Sequence, residues 1–132
     1  MIASEDMQQK QQIVVWEARQ WASMEYLRLE QRAGEIAADG TIIMVADDQP
    51  LRIRYTIRCD AAWAARQVSV RAEGVTGAAR RLSSDGAGHW TRSLGHPLAA
   101  LDDCIDVDIA ATPFTNTLPI RRLALQPGQS VE

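Results

Sequence analysis

The sequence predicts a mostly β domain, an antiparallel meander completed by one short helix. Three observations predict it. Residues 51 to 59, LRIRYTIRC, alternate strictly between apolar and polar. Turn signals recur between the apolar runs, and one late segment switches from a period of two to helical spacing.

The elements follow in order. Leu27 and Leu29, set among Glu25, Arg28, Glu30 and Gln31, mark a strand. Residues 16 to 33 also hold good helix formers, and Trp21, Met24 and Leu27 could line a helical face; propensity is a weak guide, so strand is retained. TIIMVA, residues 41 to 46, is apolar on both faces, which predicts a strand covered on both sides. In LRIRYTIRC, Leu51, Ile53, Tyr55, Ile57 and Cys59 share one face, and Arg52, Arg54, Thr56 and Arg58 the other. After a corner at Asp60 to Ala65, Val68, Val70 and Ala72 alternate with Gln67, Ser69, Arg71 and Glu73. Turns are expected at Asp39-Gly40, Asp48-Gln49-Pro50, Gly74 to Gly77, Asp85-Gly86 and Gly95-His96-Pro97. From Leu118 onward Ile120, Leu123 and Ala124 follow i, i+3, i+4 spacing. With Asn116 or Thr117 as N-cap, Pro119 in the first turn and Pro127-Gly128 as a stop, a helix is predicted over about residues 117–125.

With 132 residues the chain can build one domain with one core. The expected division is a tail over 1–12, a domain over 13–128 and a short tail over 129–132. A net charge of -3 and a pI near 5.4 leave no basic surplus to neutralise phosphates, which argues against nucleic acid as a partner. No apolar run approaches the roughly 20 residues needed to span a membrane. MIASEDMQQKQQ has neither a basic start nor an apolar core, so no secretory signal is read and a cytoplasmic location is expected. Cys59 falls in register with buried positions and reads as a small hydrophobe, and a disulfide with Cys104 would be unusual in a reducing cell.

Candidate chemistry concentrates in DVDIAATPFTNTLPIRRL, residues 106 to 123. Asp106 and Asp108 are placed on one face of a short strand, with Ile105, Val107 and Ile109 on the other. A calcium loop starting at Asp106 fails, because its sixth position is Ala111 rather than Gly and its twelfth is Thr117 rather than Glu. The favoured reading is that the two acids accept bonds from loop amides or pair with Arg121 or Arg122. Pro113, Asn116, Thr117 and Pro119 then belong to a structural corner that starts the helix. His89 and His96 lack partners for catalysis, and no nucleophile elbow, phosphate loop or zinc motif occurs. No catalytic residue, cofactor or metal is therefore assigned.

Apolar recognition is what remains. Four of the seven aromatic residues are tryptophan: Trp16, Trp21, Trp63 and Trp90. Trp63 lies at a strand corner, and Arg66 is expected on the face of Val68 and Val70, where it could stand at a pocket mouth. The competing reading, which is favoured, has Trp63 closing the core and Arg66 snorkelling to water.

The order YTIRCDAAWAARQVSV (55–70), SSDGAGHW (83–90) and DDCIDVDIAATPFTNTLPIRRLAL (102–125) resembles the bacterial "putative glycolipid-binding" family. The likeness covers about residues 13 to 128. Tyr55, Trp63, Arg66 and Trp90 fall on matching positions, and Arg121 lies in the matching PIRRL. The resemblance implies a spiral β-roll wrapped around the helix, and non-enzymatic binding of an amphiphile, such as a glycolipid, between sheet and helix. Those five residues form the candidate ligand set. The alternatives are an enzyme using Asp106 or Asp108 with an arginine, or an oligomerising module without ligand. Members of the family usually continue past the helix with further strands. Ending at Glu132, this chain is expected to expose an edge and an apolar face, and so to form a homodimer in which TIIMVA takes part.

Overall fold

A computed structural model describes residues 9–74 and 79–131. Among these residues eight strands form one antiparallel sheet in sequence order, each paired with the next. They are β1 (Lys10–Glu17), β2 (Ser23–Arg32), β3 (Glu35–Ala46), β4 (Gln49–Asp60), β5 (Ala65–Glu73), β6 (Ala79–Ser84), β7 (Trp90–Arg92) and β8 (His96–Pro97). The predicted meander is what forms. β1 begins at Lys10, inside the segment expected to be a tail.

Alternation decides the inner face. Leu27, Ile42, Tyr55, Ile57, Cys59 and Val68 are buried there, while Arg52 and Arg54 point outward. The segment whose helical and strand readings competed is strand, and the strand period separates Leu27, 1% exposed, from Met24, 53% exposed. TIIMVA departs from expectation. It is strand, but Ile42 is wholly buried whereas Ile43 and Val45 are 66% and 48% exposed, so only one face is covered. Ile13, Val15, Met24, Tyr26, Ile43 and Val45 all emerge on the outer side of β1 to β3, with Val15 opposite Tyr26 and Met24 opposite Ile43.

Three turns fall elsewhere than predicted; His96 and Pro97, expected in a turn with Gly95, form β8, and the chain reverses at Ser93–Gly95 instead. Asp39-Gly40 is interior to β3, and the β2–β3 hairpin closes at Ala33-Gly34, between the paired Arg32 and Glu35. Gly40 serves close approach instead of a turn: it faces Tyr55 across the ladder, and a Cβ there would lie 2.1 Å from the Tyr55 ring. The β3–β4 turn is the dipeptide Asp47-Asp48, with φ of 49° and 59°. Both values suit a type I′ hairpin, and aspartate tolerates the left-handed region better than most side chains. Of the turn expected over Gly74 to Gly77, residues 75 to 77 lie outside the described residues.

The C-terminal third lies against the inner face. A 3-10 turn, Phe114–Asn116, runs directly into helix α1, Thr117–Arg122. Phe114 and Leu118, four apart, are 2% and 0% exposed and enter the core beside Leu27 and Ile57. The predicted apolar stripe was rotated, since Ile120 and Leu123 are 47% and 39% exposed. Asn116 is already helical and makes no cap bond; Thr112 takes the role, its hydroxyl accepting the Phe114 N–H at 3.0 Å. Pro119 lies in the first turn, where its missing N–H costs nothing. The helix stops before Pro127-Gly128. Ala124 turns left-handed at φ 51°, and the Leu125 and Ala124 amides bond back to Ile120 and Arg121 in a Schellman closure.

Candidate functional site

Residues 104 to 109 make no ladder and run as an irregular strap, so Asp106 and Asp108 are not on a strand. Without a pleat to separate them, Asp106, Val107, Asp108 and Ile109 all border one cavity. Its volume is about 320 Å³, and its apolar walls are Val68 and Val70 of β5, Leu82 of β6, Trp90, Leu101, Val107 and Ile109. Arg80, Cys104, Asp106 and Asp108 supply the polar atoms. Arg80, Cys104 and Asp108 are exposed while Trp90 and Val68 are buried, which makes an apolar floor with a polar mouth. Trp90 is held in place by its indole N–H, which donates to the Cys104 carbonyl at 2.7 Å.

The two acids have different partners. Arg122 donates to Asp106 from Nε at 3.1 Å and from a terminal nitrogen at 2.7 Å, a fork that ties the strap to α1 and raises the guanidinium pKa. Asp108 accepts the Thr115 hydroxyl at 2.9 Å, and that hydroxyl in turn accepts the Ile109 amide at 3.3 Å. Asp106→Ala is expected to cost about 1–3 kcal/mol by stranding a half-buried guanidinium, and Asp108→Ala, on an exposed residue, less than about 1 kcal/mol. Urea unfolding of both variants checks the order; equal midpoints would mean the Asp106 fork does not hold the strap.

The remaining candidate residues separate. Tyr55 is in the core, 3% exposed, and does not reach the cavity. Arg66 misses the face of Val68 and Val70, because the ladder shifts register between Arg58 and Cys59: Cys59 pairs with Ala65 and Arg58 with Gln67. The extra residue is Arg66, so its side chain is exposed, donating to the Ser84 carbonyl at 3.0 Å and lying 3.8 Å from Asp60. Trp63, at φ 65°, is half-buried at the corner, and Arg121 covers it with its guanidinium carbon 5.6 Å from the ring centroid. Arg121 therefore stacks on Trp63, and of the two arginines only Arg122 pairs with an acid of the strap. Cys59 is a buried free thiol, pushed up to about 12 by burial, and Cys104 is free and exposed. Among the described residues no three His, Cys, Asp or Glu side chains assemble as a metal group.

His89 is not isolated, contrary to the sequence reading. Its Nδ1 lies 2.7 Å from Asp85 Oδ2, while Asp85 also caps the loop amides of Ala87 and His89. The bond from Asp85 raises His89 above its ordinary 6.5; the Ala87 amide, then His89, hold Asp85 below its ordinary 3.8. The contribution of His89 is thus complete below pH 6.5 and lost as pH rises through its raised value, and that of Asp85 is present above 3.8 and lost as pH falls through its lowered value. A proton NMR titration is expected to place His89 above 6.5 and to return it towards 6.5 in Asp85→Asn.

One cluster escaped the sequence reading. Glu25 is 3% exposed on the inner face, and its Oε1 accepts the Tyr55 hydroxyl at 2.5 Å and the Thr112 hydroxyl at 2.9 Å. The other oxygen, Oε2, is buried without a partner among the described residues. Burial, and then the bond to Glu25, push the Tyr55 hydroxyl far above its usual range, so it stays a donor. Its signal was present: Glu25 precedes Leu27 by two and must share its face.

The chain is thus a β protein of one open antiparallel sheet, with a helix and a strap over a small apolar cavity that has a polar mouth. The chain belongs to the family described as "Putative glycolipid-binding", whose model matches residues 13–132. It is similar to the crystal structure of a DUF1089 family protein from Pseudomonas aeruginosa, with a TM-score of 0.69 and 36% identity over 86% of this chain and 61% of that one. The chain thus spans 61% of that relative's length. No curated protein gives a significant match.

Proposed function

We propose that the protein binds an amphiphile without transforming it, its apolar part in the cavity under the strap and its polar head at the mouth. The cavity itself carries the reading: at about 320 Å³, walled mainly by aliphatic side chains and Trp90, it falls at the lower end of the roughly 300–1,000 Å³ of small-molecule sites. The family description supports a glycolipid as the ligand. The enzymatic alternative finds less support, since Asp106 and Asp108 are engaged by Arg122 and Thr115 beside an apolar cavity. Native mass spectrometry of protein purified without detergent is expected to show a retained lipid mass, absent from Leu82→Trp and from Val107→Trp, each of which fills the cavity. A folded wild-type protein that carries none and takes up none on titration with a lipid extract would refute the reading.

Self-association belongs to the same proposal. The outer apolar group around Tyr26 and Ile43 lies between Glu17 on β1 and the Arg54–Arg71 pair on β4 and β5. A two-fold axis along the strands sets the acidic side of one copy against the basic side of the other, with the apolar residues between. Light scattering at micromolar concentration is expected to give twice the chain mass, and Ile43→Glu to give the chain mass. A monomeric wild type would leave this face to another partner.

A further inference from the structure

The cavity is not closed at β6. Arg80 and Leu82 line it on one side and line a second cleft on the other, of about 460 Å³, whose remaining walls are Ala79, Arg81, Arg92, Ser93 and Leu98. Register explains the join. Leu82 is paired with Val68 and Arg80 with Val70, so Arg80 extends the row that floors the cavity and brings a guanidinium to its end. Arg81 follows from the same strand, and Arg92 ends β7, where the chain turns into Ser93–Gly95. Arg80 and Arg92 thus share the face of the sheet that floors the cavity, while Arg81, one residue on from Arg80, borders the cleft from the opposite face, and no acid among the described residues lines the cleft.

These arginines are also uncommitted. Among the described residues none of Arg80, Arg81 and Arg92 is within ion-pair distance of a carboxylate, whereas Arg28, Arg52, Arg58 and Arg66 all are. Arg80 spends one donor on the Ala79 carbonyl at 2.8 Å and keeps the rest of its fork. The neighbouring segment 75–78, VTGA, contributes no charged side chain. Asp106 and Asp108 border the cavity but not the cleft. An anion is therefore repelled from the strap side and attracted to the β6–β7 side, which gives the paired cavities a direction.

We infer that the ligand carries an anionic, phosphate-type head group, bound by Arg80 and Arg92, with its apolar chain passing Leu82 into the cavity. The inference rests on the amphiphile reading above and adds the chemistry of the head. Planar guanidinium forks match phosphate oxygens in pairs, and two forks on one face of the cleft suit a phosphate dianion better than a neutral sugar.

Calorimetric titration, with probes below their micellar concentrations, separates the two claims. Decyl phosphate is expected to bind at least about 10-fold more tightly than decyl maltoside, since charge-assisted bonds are about twice as strong as neutral ones. Arg92→Gln, which touches the cleft and not the cavity, should reduce that preference several-fold, and Arg80→Gln/Arg92→Gln should remove it. Leu82→Trp, with Val107→Trp as the second variant should the first fail to fold, should weaken both probes. Inorganic phosphate alone should bind far more weakly than decyl phosphate. Equal affinity for the two decyl probes, or an unaffected double variant, overturns the head-group inference and leaves amphiphile binding standing. Inorganic phosphate binding as tightly as decyl phosphate overturns the link between cleft and cavity. Failure of both decyl probes overturns both readings.

Discussion

Gly40→Ala is expected to destabilise the protein by about 3 kcal/mol, although it adds a single methyl to a strand. Alanine ordinarily improves a strand position occupied by glycine, so local preference gives the opposite sign. The reason lies across the ladder. The added Cβ would meet the Tyr55 ring at 2.1 Å, and the ring cannot retreat without giving up the hydroxyl bond to Glu25. That bond is one of two holding a carboxyl group at 3% exposure. Tyr55→Phe should cost about 1–3 kcal/mol through the stranded acceptor alone. Combining Gly40→Ala with Tyr55→Ala should cost less than the sum of the single changes, because one removes what the other collides with. Urea unfolding of the cycle checks this, and strict additivity would show that the ring yields freely.

Trp90→Ala should be comparably severe, at about 3–5 kcal/mol. Trp90 is 3% exposed, ends the sheet's contact with the strap and walls the cavity, so truncation merges an existing void with a new one. Trp90→Phe separates two contributions. It keeps most of the buried ring area but leaves the Cys104 carbonyl without its indole donor, at a cost of about 1–3 kcal/mol. Thermal and urea unfolding give the order, and a Phe variant as stable as wild type would mean the strap is held without that bond.

The strands were legible because burial on one face imposes a period of two that no tertiary contact needs to supply; LRIRYTIRC became β4 with every apolar residue inward. Turn chemistry was a weaker guide. Asp39-Gly40 has hairpin composition, but the pairing of Leu27 with Gly40 and Gly40 with Tyr55 carries β3 straight through it. The candidate site was legible only in part. Trp90, Asp106 and Asp108 do border the cavity, and the outcome for Arg66 was decided by a one-residue bulge that spacing cannot register. Glu25 was visible as an inward acid, but its partner Thr112 stands 87 residues away.

The sequence by itself determined the fold class, the meander order and which face of β2, β4 and β5 is buried, because these follow from local alternation and from neighbours joined by short turns. It also determined that the segment after Thr112 turns into a helix. Only the tertiary structure decided where that helix points its apolar side, that the strap at Cys104 to Ile109 leaves the sheet to roof a cavity, and that Arg80 connects this cavity to a cleft of arginines. Each of these depends on contacts between residues far apart in the chain, and a bulge or a rotated helix changes such contacts without changing any local pattern.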